Sequence, residues 1–360
     1  MPHASLPLRA LVLAAALVAA AIALERPARA QLPALPRPPR LGAPSAAASQ
    51  PVMLDSARLL GDLGVLAADS MEGRGFGTPG GARARRFLAA AFGEVGLVPL
   101  APAGASVPAY VHPFQAPGAW WQRLVGRTRE GANVVGMVRG TRVPDRVLVV
   151  TAHYDHLGRE GETIWRGSDD NASGTAALLA IGRSLVARPP EHTVLLVATD
   201  AEERGMHGAR ALVDAPPVPR SSIALDVNLD MLSRSEGNEL WAAGTSRWPR
   251  LRAPLEQVAA EAPVRLRLGH DDANGPRTDD WTTQSDHVAF HEAGIPFVYL
   301  GVEDHPDYHR PSDTAARADT AFYVNAARTA LLVVRRLDAQ LDRVAPRPVA
   351  ARGARAGGPR

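Results

Sequence analysis

Apolar residues fall along this chain in two alternating rhythms. Short unbroken apolar runs occupy 147–152, 193–199, 223–229 and 295–300. Such runs predict strands covered on both faces, because a strand with one wet face would alternate apolar and polar positions. Between them lie stretches of helical period. One covers 82–95, and another covers 170–187, with Ala176, Leu179 and Ala180 on one face and Pro189-Pro190 stopping it. A short helix is predicted over 208–213. A long one covers 319–341, with Phe322, Ala326, Val333, Leu337 and Leu341 turned inward. Alternation of strand and helix predicts the α/β class, a three-layer α/β/α domain on a mostly parallel central sheet. Ligands of such sheets bind outside the carboxyl ends of the strands.

The flanks break this rhythm. Arg9 precedes an uninterrupted apolar run of 15 residues over 10–24, and Ala28-Arg29-Ala30 has the small-x-small form of a cleavage site. Residues 1–30 therefore read as a secretory signal, with Gln31 the first mature residue, an uncleaved anchor being the alternative. Residues 31–51 are rich in Pro and Ala and read as a linker. Residues 344–360 are Arg, Ala, Gly and Pro for the most part and read as a disordered basic tail. A single domain is expected over 52–343, exported to the periplasm or beyond. The segment between Pro99 and Asn133 is too short for an inserted lid domain.

Composition narrows the chemistry. With 360 residues, 46% hydrophobic and 21% charged, and a mean hydropathy of −0.10, the chain is neither wholly disordered nor a multi-span membrane protein. It has no cysteine, which removes disulfides, thiolate metal sites and cysteine nucleophiles. All 40 basic residues are arginine, so Schiff-base lysines and the phosphate-loop lysine are excluded too. Of the formal net charge of +3, residues 1–51 carry +4 and residues 344–360 carry +4, leaving −5 on 52–343. The basicity lies in the flanks, and a nucleic-acid partner is not expected.

Chemistry-bearing residues follow the predicted strands. After 147–152 come His153-Tyr154-Asp155, then Asp169-Asp170-Asn171-Ala172-Ser173-Gly174 at the start of a helix. After 193–199 come Asp200-Ala201-Glu202-Glu203, and Asp230 ends 223–229. Tyr308-His309 follows the last strand. Carboxylates crowded at one sheet edge repel and protonate unless cations sit among them. Imidazole with carboxylate and no thiolate suits zinc, with manganese or cobalt less common. More than four candidate ligands predict two ions sharing a bridging carboxylate, about 3.5–4 Å apart. Of the Glu202–Glu203 pair, one can ligate while the other stays free as general base. Asp155 can accept the second N–H of His153.

Six motifs in order, among them Ala152-His153-Tyr154-Asp155, Ala201-Glu202-Glu203-Arg204-Gly205, Asn228-Leu229-Asp230-Met231, Ser285-Asp286-His287 and Tyr308-His309-Arg310-Pro311-Ser312-Asp313-Thr314, resemble those of the co-catalytic di-zinc aminopeptidases. The likeness runs from about residue 68 to 335. It implies a zinc exopeptidase domain holding two Zn2+ ions and a peptide substrate with a free N-terminus. It implies His153, Asp170, Glu203, Asp230 and His309 as metal ligands, with Asp170 bridging. His153 and Asp230 share one zinc, and Glu203 and His309 the other. Glu202 is implied as the general base toward a bridging water, Asp155 as the orienting acid, Tyr308 as oxyanion donor and Asp286 as a supporting acid. No stable membrane association is expected after signal cleavage, and the oligomeric state stays open. A glutaminyl cyclase or carboxypeptidase on the same scaffold, or a binding protein with a dead site, are the alternatives.

Plainer readings stand beside these. Asp169 is expected to be a helix N-cap. His156, His192, His207 and His305 match no motif position and are expected at the surface or in packing. Trp281, Phe290 and Met231 are candidate walls of a substrate pocket. Gly75-Phe76-Gly77-Thr78-Pro79-Gly80 satisfies GxGxxG but has no apolar strand before it, and His291-Glu292-Ala293-Gly294-Ile295 lacks the second histidine of HExxH.

Overall fold

Continuous Val/Leu/Ile runs become the middle of one twisted sheet, and the helical stretches cover it. The computed structural model describes residues 54–100, 108–117, 128–272 and 279–347. The expected signal, the linker and the tail from residue 348 on lie outside the described residues. In chain order the elements are α1 (Ser56–Leu66), α2 (Pro79–Val95), β1 (Val98–Pro99), β2 (Val111–Pro117), β3 (Thr128–Val138), β4 (Val143–His153), β5 (Gly158–Glu160), β6 (Thr163–Trp165) and α3 (Gly174–Ala187). Then follow β7 (His192–Thr199), α4 (His207–Asp214), β8 (Ile223–Asp230), β9 (Glu239–Ala243), α5 (Arg252–Glu261), β10 (Arg265–Leu268), α6 (His287–Glu292), β11 (Phe297–Gly301), α7 (Thr320–Ala339) and α8 (Leu341–Val344).

Among the described residues, nine strands form one sheet in the order β1-β3-β7-β4-β8-β11-β9-β10, with β2 also paired to β3. The central neighbours β7, β4, β8 and β11 run parallel. Antiparallel pairs lie toward the edges, β3 on β7 and β9 on β11. Register places His153 beside Thr199, and Asp230 beside Gly301. The strand ends that carry chemistry are therefore level with one another.

The two faces of the sheet are filled by alternate residues, as the period of two requires. Leu148, Val150 and Ala152 of β4 pack with Leu88 of α2, Leu178 of α3, Leu255 of α5 and Val333 of α7. Val147 and Val149 pack on the other side with Leu212 and Val213 of α4 and Phe290 of α6. This is the three-layer, mostly parallel α/β architecture that the sequence predicts.

Local signals explain most element ends. Asp319 caps α7, its carboxylate accepting from the amides of Ala321 and Phe322 at 3.1 and 3.0 Å. Thr78 caps α2 from the Gly-rich segment, with Pro79 at the first helical position. That segment follows a 3-10 turn over Asp69–Arg74, not a strand. The helix predicted over 170–187 begins instead at Gly174. Residues Ser168–Ser173 form a wide turn in which Asp170 and Asn171 leave helical geometry.

Burial also sets a pH dependence. His287, at the start of α6, lies between the rings of Phe297 and Tyr299, and its Nε2 is 2.9 Å from the Trp281 carbonyl. Burial pushes this imidazole down from 6.5 to about 4. The folded chain thus resists a proton that the unfolded chain accepts. The resulting stability is complete above the unfolded value and is lost as pH falls through the folded one. Urea unfolding at pH 7 and pH 4 is expected to show His287→Gln losing about 3 kcal/mol less than the wild type over that interval.

Candidate metal centre

Four loops at the carboxyl edge of the parallel strands converge on a cavity of about 440 Å³. His153 ends β4, and Asp230 ends β8. Glu202 and Glu203 follow β7, Asp170 stands in the wide turn before α3, and Tyr308 and His309 follow β11. His153, Asp170, Glu202, Glu203, Asp230, Tyr308 and His309 all line this cavity.

The polar atoms divide into two sets that share Asp170. On one side, His153 Nε2 lies 3.1 Å from Asp230 Oδ1 and 3.3 Å from Asp170 Oδ1. On the other, His309 Nε2 lies 3.0 Å from Asp170 Oδ2 and 3.5 Å from Glu203 Oε2. The two oxygens of Asp170 thus face different imidazoles. His156 joins the second set, with Nδ1 2.7 Å from Glu203 Oε1 and 3.6 Å from Asp170 Oδ2. It is 2% exposed. The surface or packing role expected for it therefore does not describe its place. It leaves β4 only three residues after His153, on the same edge, and that proximity was the available signal.

Hydrogen bonds fix the turn that presents Asp170. Asp313 accepts from the amides of Asp169 and Asp170. Asn171 donates to the Leu229 carbonyl and accepts from the amides of Gly174 and Met231. A Cβ on Gly174 would sit 2.4 Å from Asn171 Oδ1 and 2.5 Å from the Leu229 carbonyl oxygen, so only glycine fits. Asp169 is no N-cap. Its Oδ1 accepts from the amide and hydroxyl of Ser233 at 2.6 and 2.8 Å, tying the turn to the chain beyond β8. His305 meets its other oxygen at 3.1 Å. His192 pairs with Asp338 at the opposite end of β7.

Asp155 acts through a different atom from the one expected. His153 Nδ1 lies 3.1 Å from the Asp155 main-chain carbonyl and 3.8 Å from its carboxylate. The carboxylate instead accepts from the Glu202 amide at 3.0 Å, positioning that residue. Asp286 accepts from Thr199 Oγ1 beneath the site. Trp281 and Met231 line the cavity as expected. Phe290 does not. It is wholly buried on the far side of the sheet, since its helix α6 packs against Val149 and Leu195.

Electrostatics mark the cluster as strained. Burial raises Glu202 well above the usual carboxylate range. His153 opposes this, while Asp286, Asp230 and Asp155 add to it. Burial likewise raises Asp230. Hydrogen bonds to Asp170 and Glu203 lift His309 to about 10. Four non-glycine residues lining or flanking the cavity also lie in the left-handed region: Ala201 at φ 59°, Met206 at 56°, Met231 at 62° and His309 at 53°. Such backbone costs about 1–3 kcal/mol each and gathers at functional sites.

Residues 133–334 of the chain match the Peptidase family M28. The chain belongs to this family. The aminopeptidase YwaD of Bacillus subtilis is 30% identical to the M28 chain over 200 residues, 51% of this chain and 39% of that one. A probable zinc metalloprotease of Leptosphaeria maculans is 31% identical over 154 residues, 41% of this chain and 35% of its own length. The chain thus spans less than half the length of these relatives. Among solved structures, a zinc aminopeptidase of Bacillus subtilis superposes with a TM-score of 0.59 at 16% identity, covering 79% of this chain and 96% of that one. A glutaminyl cyclase of Bacteroides thetaiotaomicron gives 0.60 at 17%, covering 78% and 98%. These two likenesses establish the fold.

One contributor to the site lies before the matched segment. Arg74 is fully buried, and its guanidinium donates to the carbonyls of Leu66, Tyr154, Arg166 and Gly167 at 2.6–2.8 Å. Burial lowers it to about 10, against the pull of Asp170, Asp313, Asp155 and Glu203, so it stays cationic at neutral pH. Arg74→Met leaves four carbonyls without that donor. Denaturant unfolding of this variant is expected to show a loss of about 3–5 kcal/mol, with Arg74→Lys recovering part of it.

Proposed function

We propose that the chain is an exported zinc-dependent aminopeptidase, hydrolysing the N-terminal peptide bond of peptides at a centre for two ions. The observation that carries this reading is Asp170, whose two carboxylate oxygens face two separate imidazole–carboxylate sets. The donors fit the metal. They are imidazole nitrogens and carboxylate oxygens in two groups, His153–Asp170–Asp230 and His156–Asp170–Glu203–His309, with ligand atoms of each within 4.8 Å of one another. A divalent cation competes for the lone pairs that protons would otherwise take, and it offsets the crowding of buried acids. Zinc held there supplies Lewis-acid polarisation of a carbonyl and a lowered pKa for water.

The remaining chemistry belongs to the side chains. Glu202 lines the cavity beside Glu203 and belongs to neither donor group, so its carboxylate is left free to accept a proton. It takes a proton from the attacking water as the new C–O bond forms. It returns that proton to the nitrogen as the C–N bond breaks. Burial raises the Tyr308 phenol, which keeps it protonated and able to donate to the carbonyl oxygen as charge develops there. Glu303 and Asp304 add negative charge to the cavity wall, which suits the ammonium of a free N-terminus.

The test is a free-amine dipeptide against its N-acetylated twin, with and without a zinc chelator. Cleavage of the free-amine peptide alone, lost with chelator and restored by zinc, is the expected result. Cleavage of the blocked twin would move the assignment to a carboxypeptidase or endopeptidase. Failure on both by zinc-replete protein would remove the peptidase reading and leave a cyclase or a binding protein. Glu202→Gln is expected to lower kcat by about 10²–10⁴-fold while retaining zinc, and Tyr308→Phe by about 10²–10³-fold.

Export rests on the pattern of residues 1–30, with Arg9, the apolar run and Ala28-Arg29-Ala30. N-terminal sequencing of the protein recovered from outside the cytoplasm is expected to begin at Gln31. A chain recovered with Met1 would favour the uncleaved anchor.

A further inference from the structure

His156 is an unused resource of the site. It is buried, yet it belongs to none of the positions that the sequence motifs assign. Its Nδ1 is 2.7 Å from Glu203 Oε1, while the other oxygen of Glu203, Oε2, faces His309 at 3.5 Å. Its Nε2 is buried and has no hydrogen-bond partner among the described residues. The space for the ring is built. A Cβ on Gly167 would lie 2.4 Å from the His156 Cγ, and Gly167 itself sits at φ +54°. The ring also meets His309 edge-on, with centroids 5.7 Å apart.

Two roles are open to such a nitrogen. As a metal ligand, Nδ1 would offer its lone pair, and the proton would move to Nε2. That would leave a buried N–H without an acceptor, the costlier kind of orphan. As a donor, Nδ1–H satisfies Glu203 Oε1, and only a lone pair is left bare at Nε2. The 2.7 Å separation is that of a charge-assisted hydrogen bond. We infer that His156 is a positioning residue: it donates Nδ1–H to Glu203 Oε1, turning Oε2 toward His309 and fixing the carboxylate that serves that half of the metal centre. The inference rests on the zinc reading above and adds to it an asymmetry. One half of the centre has an imidazole bracing its carboxylate, whereas in the other His153 meets Asp230 directly.

An asparagine separates the two roles. Its amide nitrogen can take the place of Nδ1 and donate, but an amide nitrogen is no zinc ligand. The experiment titrates zinc into wild type, His156→Phe and His156→Asn in competition with a chromophoric chelator, with thermal melts of the three proteins for comparison. Wild type is expected to take up two zinc ions. His156→Phe is expected to weaken one of the two by about 10–100-fold and leave the other within about threefold, the size of effect typical of outer partners of metal ligands. His156→Asn is expected to remain within about threefold of wild type at both. An affinity in His156→Asn as poor as in His156→Phe would make the imidazole a ligand and overturn the inference. So would two unchanged affinities in His156→Phe, which would make it a bystander. Those outcomes leave the zinc reading standing. A wild type that takes up no zinc removes both.

Discussion

One carboxylate holds the centre together. Asp170 turns one oxygen to His153 and the other to His309, and much of the surrounding chain serves to keep it in that pose. Asp313 grips its amide, Asn171 pins the next residue to β8, and Gly174 lets the following helix approach without a side chain in the way. The turn spends six residues outside regular helix before α3 begins. A straight helical start would carry Asp170 on a helix whose face is fixed by packing. The irregular turn frees it to reach both sets of imidazoles.

Such a cluster is costly without compensation, since buried acids in low dielectric resist ionisation. Two features of the chain itself answer this. The imidazoles of His153, His156 and His309 stand directly against the carboxylates. Arg74 stands behind them, held by four carbonyls and within electrostatic reach of Asp170, Asp155 and Glu203. The guanidinium cannot be deprotonated easily and has no acceptor role, so it contributes charge without competing for a ligand position.

Legibility of the sequence followed the scale of the pattern. Strands covered on both faces gave unbroken apolar runs, so 147–152, 193–199 and 223–229 led directly to β4, β7 and β8. Their shared carboxyl edge then followed from parallel topology. His153 and Asp230 were thus legible as strand-end residues, and Glu202 and Glu203 as the loop that follows β7. Geometry below one turn of chain was not. Asp169 reads as a cap because the apolar period sets the helix start at residue 170, whereas the helix begins at Gly174 and the Asp169 carboxylate reaches across to Ser233. The sequence points to the Asp155 side chain, but it is the main-chain carbonyl that meets His153. Phe290 is a candidate pocket wall by residue type alone, and residue type does not say which face of a sheet buries an aromatic ring.

Arg74 shows why the functional unit is larger than the segment that identifies the family. The match begins at residue 133, after α1, α2 and the 3-10 turn that carries Arg74. Yet Arg74 bonds the carbonyl of Tyr154 in the His153 loop and that of Gly167 in the Asp170 loop. Both lie in the connection from β4 to α3, on either side of the β5–β6 ribbon, and this guanidinium ties its two ends together. The Gly-rich stretch after Arg74 serves the same end. A Cβ on Gly80 would lie 2.3 Å from the Met71 carbonyl oxygen, and one on Gly81 would lie 2.6 Å from that of Gly75, so the start of α2 closes tightly on the turn. The sequence GxGxxG therefore has a mechanical cause here. It packs a helix against the turn that carries a buried arginine, and that arginine clamps the loops of the site from below.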